Sequence, residues 1–247
     1  KYIMNNIKLL GLTFANLEIN KLVEYIDFKL RFKKKIIIST VNAAKIIQSK
    51  NDKFLKNFIK KSFIFTIDGM SIIFAGRLLS RKKLHRVSGY DLMEKLFKLS
   101  LKRKISLFFL GSKKNVIKQA VKNVKKKYPK IHISGFNDGF FWDNEKLLIK
   151  KINKLKPKIL LIGMTSPTQE MFVQKYGNSL NVKLIILLGG SFDVLSGKLK
   201  RAPILLQNMG LEWVFRLAQE PRRLFWRYLT TNSQFIYMVL KQYLRFK

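Results

Sequence analysis

The 247 residues include no cysteine. Disulfides and thiolate metal sites are therefore excluded, which suits a reducing cytoplasm. No uninterrupted apolar run approaches the roughly 20 residues that a membrane-spanning helix needs. The longest uncharged stretch near the C-terminus, Tyr228 to Leu240, contains Thr230, Thr231, Asn232, Ser233 and Gln234, and is too short and too polar. The opening KYIMNNIKLLGLTF is basic at its start but lacks a long apolar core and a small-residue cleavage site, so it does not read as a signal peptide. A start on Lys1 rather than Met suggests a trimmed chain. No G-x-G-x-x-G follows the first strand-like segment and no Walker loop is present, which removes the usual dinucleotide and P-loop signatures. Nor is there a D-x-D pair to hold a divalent cation against a nucleotide diphosphate. The two histidines, His85 and His132, are far apart without triad-like neighbours, and neither is expected to bind a metal.

Apolar residues make up 47% of the chain, ample for a real core and far from a disordered composition. The formal net charge of +36 invites a nucleic-acid reading. Its distribution argues otherwise. Lysines are scattered over helix faces (Lys122, Lys125, Lys126, Lys127, Lys151, Lys154, Lys156) and in the run Lys33 to Lys35, as on any solvated surface. From Arg201 onward the basic residue becomes arginine: Arg201, Arg216, Arg222, Arg223, Arg227 and Arg245, against only Lys241 and Lys247. Guanidinium grips phosphate oxygens in a bidentate way, so this switch says more than the total charge.

Along the chain, Asn6 to Leu17 alternates weakly, as a strand or hairpin, and Ile19 to Phe32 has helical spacing. Six strand-like segments follow: Ile36 to Thr40, Phe63 to Ile67, Ile105 to Leu110, Ile131 to Gly135, Ile159 to Gly163 and Lys183 to Leu188. Helical segments alternate with them, which is the pattern of an α/β fold with a mostly parallel, Rossmann-like sheet covered on both faces. After Gly210 the chain is helical and rich in Arg, Trp, Phe and Tyr. The expected division is an α/β domain over residues 1–200 and a basic, aromatic helical appendage over 201–247.

Five turn-located polar clusters stand out: Thr40 and Asn42; Asp68 and Gly69; Arg86, Gly89 and Asp91; Pro167, Gln169 and Glu170; Gly189, Gly190 and Asp193. All but the third follow a predicted strand. Carboxyl ends of parallel strands are where such folds bind ligands, so together the clusters describe an active-site rim. Any one alone is more often a cap or a turn, positions that Thr, Asn, Asp and Pro favour. Asp68 in particular reads either as a carboxylate poised for chemistry or as the cap of the helix expected from Met70 to Leu79.

TVNAA, IDGMSIIFA, RVSGYDL, SPTQE, GGSFDVLSG, KRAP and GLEWVFRLAQEPRRLFWRYL occur in this order, and with this spacing the chain resembles the WecG/TagA/CpsF family of bacterial glycosyltransferases from about Ile7 to Tyr228. The family usually has Gly where this chain has Thr165 and Lys where it has Thr168. The resemblance implies an inverting, metal-independent and cofactor-free transfer of N-acetylmannosamine or a related sugar. The donor would be a UDP-sugar and the acceptor a polyprenyl-diphosphate-linked N-acetylglucosamine, for a surface polymer such as wall teichoic acid.

On this reading Asp68 is the base and Arg86 meets the departing diphosphate. Arg216, Arg223 and Arg227 assist if the appendage folds over the cleft. Thr40, Asn42 and Gln169 orient sugar and acceptor, with Gly69 and Glu170 beside them, while Gly189, Gly190 and Asp193 line the nucleotide end. The tail from Leu224 onward interleaves Arg223, Arg227, Lys241 and Arg245 with Phe225, Trp226, Tyr228, Phe235, Ile236 and Leu240. That composition fits either an anionic membrane surface or an amphipathic helix packed on its own domain. The expected place is the cytoplasm, peripheral on the inner face of the cell membrane. Nucleic acid is not an expected partner, and an oligomer is compatible with the sequence. The competing class is a basic nucleic-acid-binding protein on a Rossmann-like scaffold; a sugar-nucleotide oxidoreductase lacks its glycine fingerprint.

Overall fold

The structure, a computed structural model, describes residues 5–60 and 64–245. The chain opens with an antiparallel hairpin, β1 (Asn6–Leu9) and β2 (Leu12–Ala15). Its two-residue turn, Leu10 and Gly11, has positive φ at both positions (54° and 81°), the twist that suits a tight hairpin. Helix α1 (Ile19–Lys29) leads to β3 (Ile36–Val41), α2 (Ala43–Asn51), α3 (Lys53–Lys60) and β4 (Ile64–Ile67). Phe63, the expected start of that strand, lies outside the described residues. Then come α4 (Met70–Ser80), α5 (Gly89–Arg103), β5 (Leu107–Gly111), α6 (Lys114–Lys127), β6 (Ile133–Asn137) and α7 (Glu145–Leu155). They are followed by β7 (Ile159–Gly163), α8 (Thr168–Tyr176), β8 (Leu184–Leu187) and α9 (Ser191–Leu195).

The six later strands form one parallel sheet in the order β4-β3-β8-β7-β5-β6. Residues along β7 and β8 alternate between two cores. Leu160, Ile162, Ile185 and Leu187 join one with Ile46 of α2, Phe58 of α3, Ile152 of α7 and Phe172 of α8. Ile159, Leu161, Leu184 and Ile186 join the other with Leu22 of α1, Phe97 of α5, Ile117 of α6 and Phe192 of α9. With apolar side chains on both faces, these strands read as continuous hydrophobic runs, which is how the sequence announced a parallel, doubly covered sheet. At neighbouring β3 and β8 the following helices leave for opposite faces, and such a divergence is where doubly wound sheets form a ligand crevice outside the carboxyl ends of their strands.

The last residues form α10 (Ile204–Asn208), α11 (Glu212–Gln219) and α12 (Pro221–Leu244). Helix α10 has only five residues, too few for a period to show in sequence. Helix α12 packs on α2 and α4, sending Phe235 and Val239 into the first core. The expected helical character of this region is present. The sequence reads as helical from Pro221 to Phe246, and Phe246 lies outside the described residues.

Candidate active site

The loops at the carboxyl edge bring the polar clusters together. After β4, Asp68 anchors its N–H on the Val41 carbonyl of β3 (2.8 Å). Its carboxylate does not cap α4. The cap position belongs to Gly69, at φ 146° and without a side-chain hydrogen bond, while Asp68 Oδ2 accepts from the Gly89 N–H at 3.4 Å. Of the two sequence readings of Asp68, the helix-cap geometry is absent. Asn42 does cap: it begins α2 and accepts from the Lys45 N–H at 3.0 Å, and a Cβ on Gly69 would stand 3.8 Å from its own Cβ.

Arg86 reaches Asp68 by a device the sequence did not reveal. The chain after α4 returns along the end of β4 in a one-residue parallel bridge between Ile67 and Arg86, with the Val87 N–H bonded to the Ile67 carbonyl at 2.8 Å. Asn16, buried behind the hairpin, fastens the same loop, donating to the Lys83 carbonyl (2.9 Å) and accepting from the His85 N–H (2.9 Å). Arg86 then pairs through Nη2 with Glu212, the first residue of α11.

Helix α11 also carries Arg216. A Cβ on Gly190 would lie 3.0 Å from Arg216 Nη2 and 3.7 Å from Asp193 Oδ2, so glycine leaves the room this guanidinium occupies. Burial holds the Asp68 carboxyl above the ordinary carboxylate range, and the Glu212 charge adds to the rise. The Arg86 and Arg216 guanidiniums and the Gly89 N–H oppose it without cancelling it. A carboxyl raised in this way inside a crevice is the type of group that serves as a base near neutral pH.

Asp193 accepts from Ser112 Oγ (3.4 Å) and pairs with Lys198 (3.1 Å). Arg223 feels the Asp193 charge but is paired with Glu220, and Arg227 stacks on the Tyr228 ring at 5.4 Å. Thr40 Oγ1 donates to the Leu187 carbonyl at 3.3 Å, tying β3 to β8. Arg201 meets Asp91 at 2.6 Å and lies over the Tyr90 ring, joining the segment before α10 to α5.

Gln169 and Glu170 are placed differently from a substrate-lining pair: they are 2% and 0% exposed. Glu170 Oε1 takes a 2.6 Å ion pair from Lys45 and a 3.0 Å hydrogen bond from Gln169, whose Oε1 in turn accepts from the Gly189 N–H at 3.2 Å. Lys45 also donates to Ser39 Oγ (2.9 Å) and the Thr40 carbonyl (3.3 Å). This network lies beneath the crevice and locks the ends of β3 and β8 to the start of α8. Nothing local in the sequence marks the contacts of Lys45, Glu212 and Asn16, because each is tertiary: a lysine among 50 basic residues has no mark of its own. Among the described residues no three His, Asp or Glu side chains gather into a group suited to a metal ion.

Residues 7–247 match the family model described as "Glycosyl transferase WecG/TagA/CpsF family". The chain belongs to that family. This glycosyltransferase is 31% identical over 234 residues to the N-acetylglucosaminyldiphosphoundecaprenol N-acetyl-beta-D-mannosaminyltransferase of Bacillus subtilis (strain 168), covering 94% of this chain and 90% of that one. To the enzyme of the same name from Bacillus spizizenii (strain ATCC 23059 / NRRL B-14472 / W23) it is 34% identical over 174 residues, 70% of this chain and 66% of that one. To that of Staphylococcus aureus (strain MW2) it is 24% identical, covering 88% and 86%.

Two outcomes follow from the geometry. Lys45→Met leaves Glu170 charged and unpaired in the interior, and should cost roughly 3–5 kcal/mol in urea unfolding. Adding Glu170→Gln should recover much of that loss; a single variant as stable as wild type overturns the account. Asp68 binds its proton more tightly folded than unfolded, so its contribution to stability is fully present below the unfolded pKa and is lost as pH rises through the folded value. Asp68→Asn should therefore raise Tm at about pH 8, by about 2–4 °C for each kcal/mol relieved. The gain should shrink towards about pH 3, where the unfolded carboxyl is itself largely protonated. Equal gains at both pH values would contradict the raised carboxyl.

Proposed function

We propose that this glycosyltransferase moves N-acetylmannosamine, or a closely related sugar, from a UDP-sugar to the N-acetylglucosamine of a polyprenyl-diphosphate lipid, with inversion and without a metal ion. The observation that carries the chemistry is the placement of Asp68 and Arg86 on adjoining stretches of chain, joined by the Ile67–Arg86 bridge, with Arg216 beside Gly190 and both guanidinium charges felt at the Asp68 carboxyl. Asp68 takes the proton of the acceptor hydroxyl as its oxygen attacks the anomeric carbon from the face opposite the diphosphate. The bond to the diphosphate breaks, the anomeric configuration inverts, and the proton ends on Asp68. Arg86 and Arg216 stabilise the negative charge that develops on the leaving diphosphate, in a crevice where screening is weaker than in water. Asn42 keeps its amide N–H groups for sugar hydroxyls, since only its oxygen is used in capping. Gly190 and Asp193 flank Arg216 at the nucleotide end, and Gln169 and Glu170 act from below by holding Gly189. The acceptor and the transferred sugar follow the names of the relatives, and the UDP donor is inferred from the charge arrangement that would receive a diphosphate.

The lipid acceptor places the enzyme at a membrane, on our reading as a peripheral protein on the cytoplasmic face. Among the described residues no helix is long and apolar enough to cross a bilayer. Helix α12 has instead two apolar stripes. Leu224, Phe235 and Val239 are buried, while Phe225, Trp226, Leu229, Ile236, Tyr237, Leu240 and Leu244 are exposed. At 3.6 residues per turn the exposed set falls on the side opposite the buried one, with Arg223, Arg227, Lys241 and Arg245 along its flank. The packed-helix reading and the membrane reading of the tail thus fall on separate faces of one helix. An exposed apolar stripe beside cations is the composition that enters an anionic interface.

A transfer assay with a synthetic lipid-diphosphate N-acetylglucosamine, a panel of UDP-sugars and a chelator tests the chemistry. Turnover is expected with an N-acetylmannosamine donor, and Asp68→Asn should lower it by about 10²–10⁴-fold. A fully active Asn variant sinks the mechanism. Trp226→Glu with Leu240→Glu changes only exposed positions, so the fold and transfer to a detergent-solubilised acceptor should persist while sedimentation with phosphatidylglycerol vesicles is lost. Undiminished sedimentation would refute the membrane role of α12.

A further inference from the structure

The guanidinium read above as the diphosphate ligand is already engaged by a carboxylate. Arg86 Nη2 donates to Glu212 Oε2, with the two side chains 20% and 33% exposed, and Arg86 Nε is enclosed without a partner. Glu212 is not needed to place the backbone of Arg86. The Ile67–Arg86 bridge and the Asn16 clamp fix the backbone of that loop from the other side. Glu212 and Arg216 sit one turn apart on α11, so one helix face delivers an anion and a cation to the crevice. Asp68, when ionised, and Glu212 then stand against Arg86 and Arg216, two charges of each sign. A diphosphate brings about two further negative charges into this half-dry space, where like charges at close range repel strongly. Carboxylate and phosphate also ask the same thing of a guanidinium, a pair of N–H donors in one plane.

We propose that Glu212 is a placeholder for the diphosphate: it holds Arg86 in the empty enzyme and must release that guanidinium when a nucleoside diphosphate or its sugar ester binds. This rests on the reading of Arg86 as diphosphate ligand. Glu212 is on this account an affinity-determining residue. It does no chemistry, but every binding event exchanges one anion for another on Arg86, and every product release is helped by the return of the carboxylate. Because Glu212 belongs to α11, the exchange couples occupancy of the nucleotide end to the way α11 docks on the sheet edge.

Titration calorimetry of UDP against the full chain tests it. Glu212→Gln removes the competing charge, and Glu212→Asp keeps the charge on a side chain one methylene too short to reach Arg86. Both should bind UDP more tightly than wild type, on the order of tenfold. In an Arg86→Ala background, Glu212→Gln should change UDP affinity little, because the exchange has lost its site. Weaker UDP binding by Glu212→Gln would mean that Glu212 supports Arg86 in its binding pose, and overturns the proposal. Tighter binding by Glu212→Gln together with wild-type binding by Glu212→Asp would reduce Glu212 to a background charge, and overturns it as well. Unchanged UDP affinity in Arg86→Ala alone would instead remove Arg86 from the diphosphate site, which is the failure of the reading beneath the proposal.

Discussion

Six parallel strands end on the same edge, and everything chemical in this enzyme follows from that constraint. A parallel sheet returns its chain through a crossover each time, so each strand must hand over to a loop at the carboxyl edge before the next helix begins. Asn42, Asp68, Ser112, Gly189 and Asp193 come from strands or loops well separated in sequence, yet they sit on one rim. The hydrogen bond from the Asp68 N–H to the Val41 carbonyl, at 2.8 Å, carries the ladder one step beyond β4 and holds the carboxylate on a rigid support.

The charge pattern of the rim differs from the charge of the whole. The chain is +36, but the crevice balances Asp68 and Glu212 against Arg86 and Arg216. Surface lysines act through water and are screened within about 10 Å at ordinary salt, whereas half-buried groups speak to one another directly. Burial first, and the Glu212 charge after it, keep the Asp68 carboxyl raised against the two guanidiniums. Beneath it the Lys45–Glu170 pair, 7% and 1% exposed, joins α2 to α8 in a dry layer where a charge without its partner is costly.

The strands were readable because their side chains are buried on both faces, so Ile159 to Gly163 and Lys183 to Leu188 appear as unbroken apolar runs with turn residues after them. Asp68, Arg86 and Gly190 were readable as residues after strands, or as members of the family motifs. Their partners were not. Glu212 lies 126 positions from Arg86, and Glu170 lies 125 from Lys45 (170 − 45); no local period links such pairs. Gln169 and Glu170 show the converse: a polar pair after a strand reads as substrate-facing, and packing turned it inward.

By itself the sequence determined the class of the fold, the edge on which chemistry gathers, the carboxylate and arginine types available there, and the family, since each is written in local period or in ordered motifs. The tertiary structure decided which polar groups touch. It kept the Asp68 carboxylate off the cap of α4 and turned it to Gly89, gave Arg86 to Glu212, buried Gln169 and Glu170, and divided α12 between a packed stripe and an exposed one. Those outcomes depend on distances across crossovers, which the order of residues along a chain does not contain.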